Sequence, residues 1–229
     1  MSRRQRKSEK RIIPLVAHTH PKLPITEQFR LIRTNLLFSS VDKEIKLLVV
    51  TSPDSGDGKS TTAANLAIVL AQQGKQVLLV DTDLRKPSVH YAFKVSNLTG
   101  LTNILTREIT LNEGIKSTVI PDLFVLTSGQ IPPNPSELLG TKCMELLMEE
   151  MKNQFDYVVF DTPPILAVTD AQIIANKCDG VVLVVASGKT HRDKALKAKE
   201  LLAKAKSHLL GVVVNGVGSK KSQYYRQYS

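Results

Sequence analysis

From Ile45 onward, apolar residues fall in short β-branched runs separated by longer stretches with helical spacing. The runs are IKLLVVT (45–51), QVLLVD (76–81), LFVLTSG (123–129), DYVVFD (156–161), GVVLVVA (180–186) and LLGVVVN (209–215). Several are apolar at consecutive positions, as strands covered on both faces of a parallel sheet require. The intervening spacing predicts helices at 59–73, 141–153, 169–177 and 191–206. Strands alternating with helices predict an α/β fold, a doubly wound and mainly parallel sheet flanked by helices. Ligands of such sheets bind beyond the carboxyl ends of the strands, and the glycine-rich and acidic segments follow those ends.

Two stretches fall outside this alternation. Residues 12–42 hold a helix from about Thr26 to Phe38, and SGQIPPNPS (128–136) reads as a proline-rich surface loop. With 229 residues and 42% hydrophobic content, the chain can bury one full core. The expected division is a basic tail over 1–24, a domain over 25–218 and a tyrosine-containing tail over 219–229. Cys143 and Cys178 lack metal-ligand spacing and suit a reducing cytoplasm. No apolar run approaches the ~20 residues of a membrane span, and the basic N-terminus lacks the apolar centre of a secretion signal. The expectation is a soluble cytoplasmic protein that a partner can hold at a membrane.

The formal net charge of +10 points to acidic partners. Nucleic acid, anionic lipid and nucleotide phosphates all satisfy it. Much of the excess sits in the first eleven residues, where Arg3, Arg4, Arg6, Lys7, Lys10 and Arg11 face one acid, Glu9. Such a block reads as a solvated, unfolded tail, with a membrane-surface contact as the alternative.

Candidate chemistry narrows the choice. LLVVTSPDSGDGKSTTAANLAIVL places a strand, a glycine-containing turn and a helix in the order of a phosphate-binding loop. Gly56, Asp57, Gly58, Lys59, Ser60 and Thr61 form its cradle. The glycines permit close backbone approach to a polyphosphate, Lys59 reaches the β- and γ-phosphates, and the Ser60 hydroxyl ligates magnesium. The first glycine of the usual pattern is Pro53 here. Asp54 and Asp57, unfavourable beside phosphate, are expected to face solvent.

Asp81 and Asp83 follow the strand QVLLV. Two apart on extended backbone, they project to the same side, so both can face a γ-phosphate, one arranging metal and water, the other accepting a proton. Turn or helix-capping aspartates are the plainer alternative. Asp161 closes DYVVFD as a magnesium-supporting aspartate does, which makes Ser60, Asp81 and Asp161 the candidate metal residues. Asn215, before Gly216, is a candidate adenine contact or half of an Asn-Gly turn. His18, His20, His90, His191 and His208 show no ligand spacing.

SPDSGDGKSTTAANLA, LLVDTDLRKP and DYVVFDTPP, with the tyrosine-containing tail, closely resemble the bacterial tyrosine kinases that control capsule and exopolysaccharide production. The likeness spans roughly residues 25–229 and is most specific in DTDLRKP. It implies the P-loop NTPase fold, ATP and Mg2+ as cofactors, and Walker A, A′ and B motifs at Lys59 and Ser60, at Asp81 and Asp83, and at Asp161. The wider group of ParA- and MinD-like ATPases carries a lysine near the start of its phosphate loop, where this chain has Asp54. A nucleotide-switched positioning ATPase is therefore the rival reading, and a pseudo-enzyme that binds ATP as a regulator is a third.

Glu27, Arg30 and Arg33 in EQFRLIRTN span an arc of roughly 120° on one helix face. By themselves they suit an exposed helix with a weak ion pair, worth about 0.2–0.5 kcal/mol. The resemblance implies a ring-forming contact between subunits. Tyr224, Tyr225 and Tyr228 are three of five tyrosines, and a polar tail with little to pack against leaves their rings free to enter an active site. The resemblance further implies autophosphorylation there, in trans, a separate transmembrane adaptor as activator, and protein substrates such as sugar-nucleotide enzymes. No specific nucleic-acid partner is expected.

Overall fold

In the computed structural model, which describes residues 13–38 and 44–218, consecutive strand residues face opposite layers of the core. Leu78, Val80, Val158 and Phe160 enter one layer, whereas Val77, Leu79, Val159 and Val182 enter the other. A central strand with no polar face cannot sit at a surface, and this is what gives the apolar runs their parallel, two-sided burial.

In chain order the described elements are α1 (Val16–Thr19), α2 (Pro24–Phe38), β1 (Leu47–Thr51), α3 (Lys59–Ala71), β2 (Val77–Asp81), α4 (Val89–Phe93), α5 (Leu101–Leu105) and α6 (Leu111–Gly114). There follow β3 (Ile115–Ser117), β4 (Leu123–Leu126), α7 (Pro135–Leu139), α8 (Lys142–Gln154), β5 (Tyr157–Asp161), α9 (Asp170–Lys177), β6 (Gly180–Ala186), α10 (Arg192–Lys204) and β7 (Leu209–Asn215). The sheet order is β3-β4-β2-β5-β1-β6-β7. All neighbours are parallel except β3 and β4.

Helix α3 fills one layer with α1 and α2, and Leu66, Ile68 and Leu70 are fully buried there. The opposite layer receives Met144, Leu147 and Met151 from α8, Ile174 from α9 and Leu202 from α10. The six expected strands and five expected helices are present with small shifts at their ends.

Two expectations need correction, and one strand has no counterpart in the sequence pattern. Residues 13–17, assigned to the basic tail, pack on the domain: Ile13 and Ala17 are buried, and Asn65 holds this segment by accepting from the Ala17 amide at 2.9 Å and donating to the Pro14 carbonyl at 2.8 Å. The stretch read as one proline-rich loop gives way at Pro135 to α7, because proline suits the first helical position. The antiparallel β3 was missed altogether; it has three residues and no fully buried side chain, too little for a periodic signal.

Candidate active site

The turn between β1 and α3 has the backbone its glycines permit. Gly56 and Gly58 have φ of +83° and +100°, and a Cβ on Gly58 would lie 2.0 Å from the Asn215 amide nitrogen. Only glycine meets both demands. Among the described residues no side chain caps the start of α3 at Gly58, which leaves its dipole and amides directed at the loop, as an anion-binding helix start requires.

Asp57 corrects the expectation of a solvent-facing residue. It is fully buried, and its carboxylate accepts from the Asp54 amide at 3.0 Å, closing the loop on itself. Asn215 donates to the Asp57 carbonyl at 3.1 Å, and Lys189 donates to the Ser55 carbonyl at 3.1 Å and stands 3.7 Å from the Asp57 carboxylate. Asp54 pairs with Lys194 at 2.6 Å. Two lysines from beyond β6 thus offset the loop's two acids. The chain distance between them left no local sign of this pairing.

Lys59 reaches between two strand ends. Its ammonium lies 3.4 Å from Asp83 and 3.7 Å from Asp161. Burial alone pulls the ammonium pKa down, but Asp161, Asp83 and Asp81 together hold it above the ordinary lysine range.

Asp81 and Asp83 have different partners. Asp81 accepts from the amides of Ser88 and Val89 at 2.8 and 3.0 Å and from that of Asp83 at 3.2 Å, so both its oxygens hold backbone in the manner of a capping residue. Burial, reinforced by Asp161, pushes its carboxyl up to about 7. Asp83 stands nearer the phosphate loop, with one oxygen beside Lys59 and the other accepting from the Lys86 amide at 3.0 Å.

Asp161 is fully buried and neither carboxylate oxygen has a hydrogen-bond partner among the described residues. Burial raises its pKa against the pull of Lys59. A buried carboxylate paired only with Lys59 and lying near the Ser60 hydroxyl is a donor set suited to a hard, oxygen-seeking cation. Among the described residues no three His, Cys, Asp or Glu side chains cluster as a metal cage, so a cation here would depend on Ser60, phosphate and water for its other ligands. The segment after Asp161 is tied to the phosphate loop: Thr162 donates to the Val50 carbonyl at 3.1 Å, and the Ile165 amide to that of Ser52 at 2.9 Å. A cavity of about 560 Å³ opens above this group, lined by Gly58, Lys59, Asp83, Arg85, Pro164 and Asn215 among others.

The expected interaction face is only partly outward. Glu27 and Arg30 pair on the surface of α2, and Arg30 also donates to the Pro21 carbonyl at 3.1 Å. Arg33 instead donates to the Val69 carbonyl at 2.7 Å, in the last turn of α3, where a cation satisfies an unpaired carbonyl and the helix dipole. Tyr224, Tyr225 and Tyr228 lie outside the described residues, as do the six basic residues of the N-terminal tail.

A parallel sheet, a glycine-built phosphate loop at the end of β1 and acidic residues ending β2 and β5 define a P-loop nucleotide-binding protein. Residues 45–198 match the family described as AAA domain. Within that class the chain belongs to the bacterial tyrosine-protein kinases. It is 53% identical over 214 residues to the tyrosine-protein kinase YwqD of Bacillus subtilis, covering 93% of this chain and 90% of that one. Against the putative tyrosine-protein kinase CapB of Staphylococcus aureus the identity is 43% over 223 residues, covering 97% and 98%. The solved kinase domain of the Escherichia coli tyrosine kinase ETK superposes with a TM-score of 0.86 at 35% identity, covering 94% of this chain and 84% of that one. The septum site-determining protein MinD of Pyrococcus horikoshii, at 22% identity and a TM-score of 0.64, shares the fold, with 74% of this chain and 69% of that one covered.

Proposed function

We propose that this chain transfers the γ-phosphoryl group of ATP to tyrosines of its own C-terminal tail, Tyr224, Tyr225 and Tyr228, with the tail of one subunit entering the site of another. The observation that carries the reading is Lys59, placed at the phosphate loop between Asp83 and Asp161. In the reaction the tyrosine oxygen bonds to the γ-phosphorus, the bond from that phosphorus to the β–γ bridging oxygen breaks, and ADP leaves. Asp83 takes the phenolic proton, and Lys59 with the loop amides stabilises charge on the transferred group.

Ser60 and Asp161 are the residues that would hold Mg2+, which when bound neutralises phosphate charge. Asp81 remains a candidate for the same metal through water, and its direct bonds to backbone support a role in shaping the A′ loop. Asn215, which donates to the Asp57 carbonyl of the phosphate loop, would contact the adenine.

By resemblance the protein works in capsule or exopolysaccharide production, as a homo-oligomer assembled through the α2 face that presents Glu27 and Arg30, with Arg33 behind it bonded to Val69. No described helix is long and apolar enough to cross a membrane. A separate transmembrane adaptor would then recruit the chain to the inner face of the cell membrane. A solved relative described as the chimerical protein CapA2B2, 45% identical with a TM-score of 0.84, supports association with a second component. Each phosphate adds about −1.5 to −2 charges to a basic tail, enough to expel it from a phosphate-binding site and loosen the assembly.

Incubation of the full chain with labelled ATP and Mg2+, with and without an adaptor tail, followed by mass-spectrometric mapping, tests the reading. Label on the tail tyrosines is the expected result. ATP hydrolysis without any phosphotyrosine would overturn it in favour of a positioning ATPase.

A further inference from the structure

Arg85 lies two residues beyond Asp83, and its guanidinium reaches across the carboxyl end of the sheet to α9. Its Nε donates to Asp170 Oδ2 at 2.9 Å and its Nη2 to Asp170 Oδ1 at 3.1 Å. The same Nη2 donates to Ser136 Oγ at 2.9 Å, and that hydroxyl donates in turn to Asp170 Oδ1 at 2.7 Å. The three side chains close a ring. Asp170 is fully buried, so its charge depends on these partners.

The ring joins three segments that follow three strands. Arg85 belongs to the loop after β2, Ser136 to α7 after β4, and Asp170 to the start of α9 after β5. The A′ loop is thereby fastened at two points. Asp81 grips its far end through the amides of Ser88 and Val89, and Asp170 grips Arg85 from outside. Asp83 stands between Asp81, which accepts from its amide at 3.2 Å, and the held Arg85 two residues on, and it faces Lys59.

We propose that Arg85, Asp170 and Ser136 form a positioning joint that fixes Asp83 for proton transfer and holds rigid the wall of the cavity facing the phosphoryl acceptor. The proposal rests on the kinase reading of this site and deepens it. The Asp170 carboxylate is buried but the Arg85 guanidinium is partly exposed, and ion pairs open to solvent add little net stability, so stability is a weak reason for it. Geometry is a stronger one: a planar guanidinium meeting both carboxylate oxygens fixes orientation, and misplacing a reacting group by about 1 Å can cost on the order of 100-fold in rate. Lysine cannot replace it, because one ammonium does not span both oxygens and the serine in a fixed plane.

Arg85→Lys, Arg85→Ala and Asp170→Asn in the full chain provide the test. Phosphotyrosine formation with Mg2+ and ATP gives kcat and KM, a fluorescent ADP analogue gives nucleotide affinity, and thermal melting reports folding. The expected result is a fall in kcat of about 10- to 100-fold, with KM and ADP affinity within about threefold of the unsubstituted chain. Ethylguanidinium should restore part of the kcat of Arg85→Ala, whereas ethylammonium should not. Normal kcat in Arg85→Lys and Asp170→Asn would overturn the proposal. Parallel loss of ADP binding and melting temperature, without recovery by guanidinium, would also overturn it by making the joint a fold contact only. If the unsubstituted chain forms no phosphotyrosine, the kinase reading falls and takes the joint's role with it. That result differs from an active chain whose variants are unaffected.

Discussion

Asp81 and Asp161 are direct Cα partners across β2 and β5, two fully buried carboxyl groups side by side at the end of the sheet. They are stabilised differently, Asp81 by backbone amides and Asp161 by the nearby Lys59.

The pairing makes stability depend on pH. The folded-state pKa of Asp81, about 7, lies above its ordinary value of 3.8, so between these values the folded protein binds the proton more tightly than the unfolded chain. This contribution is fully present below about pH 4 and is lost as pH rises through 7. In magnesium-free buffer, the unfolding free energy from urea titration should therefore decline from pH 5 to pH 8. Asp81→Asn should reduce the decline by an amount on the order of a few kcal/mol, leaving a remainder from Asp161, whose pKa is also raised. An identical slope in the variant would place its origin elsewhere.

Lys59→Met should lower phosphoryl transfer by about 100-fold or more while the chain stays folded, because the ammonium acts on phosphate charge. Circular dichroism and label incorporation measured on the same preparation check this. Near-normal transfer by a folded variant would remove the phosphate-loop assignment.

Gly58→Ala sets a methyl group against Asn215 at a left-handed backbone position, and it should abolish detectable nucleotide binding. Titration with a fluorescent ADP analogue measures it. Asn215→Ala beside Gly58→Ala separates the two causes: if relieving the contact restores binding, crowding dominates, and if it does not, the backbone conformation does.

Replacing Tyr224, Tyr225 and Tyr228 together with Phe should remove most autophosphorylation and leave ADP affinity unchanged. The competing acceptors are Tyr91, which is 56% exposed, and the half-buried Tyr157. Mass spectrometry that finds the label mainly on either of these would deny the tail its role.

The α2 face calls for two separate substitutions. Glu27→Ala with Arg30→Ala removes a surface pair and the bond to the Pro21 carbonyl, and should disperse the oligomer in light scattering while each chain keeps its folded circular dichroism spectrum. Arg33→Ala should instead cost about 1 kcal/mol of stability, since it loses the bond to the Val69 carbonyl. An unchanged molar mass in the double variant would defeat the proposed interface.

Much of this was legible in the sequence because the central strands carry their signal in every residue. VLLVD and YVVFD have no polar face, and each ends in an acid at the functional edge. The glycines of the phosphate loop were equally plain, since their conformations have few substitutes. What escaped were contacts between segments far apart in the chain. Nothing near Asp57 announces that Lys189 approaches it, and nothing in PPNPS announces that Ser136 closes a ring with Arg85. Helices α4 to α7 have four or five residues each, too few for a helical period to declare itself.

The sheet order has a further bearing on synthesis. Strand β1, which leads into the phosphate loop, lies between β5 and β6, so Leu47 waits for Val158 and Leu48 for Gly180. A ribosome has made most of the protein before either neighbour emerges. ATP therefore cannot act as an early template for the nascent chain, and until β5 and β6 dock, β1 is an unpaired apolar strand of the kind that chaperones bind.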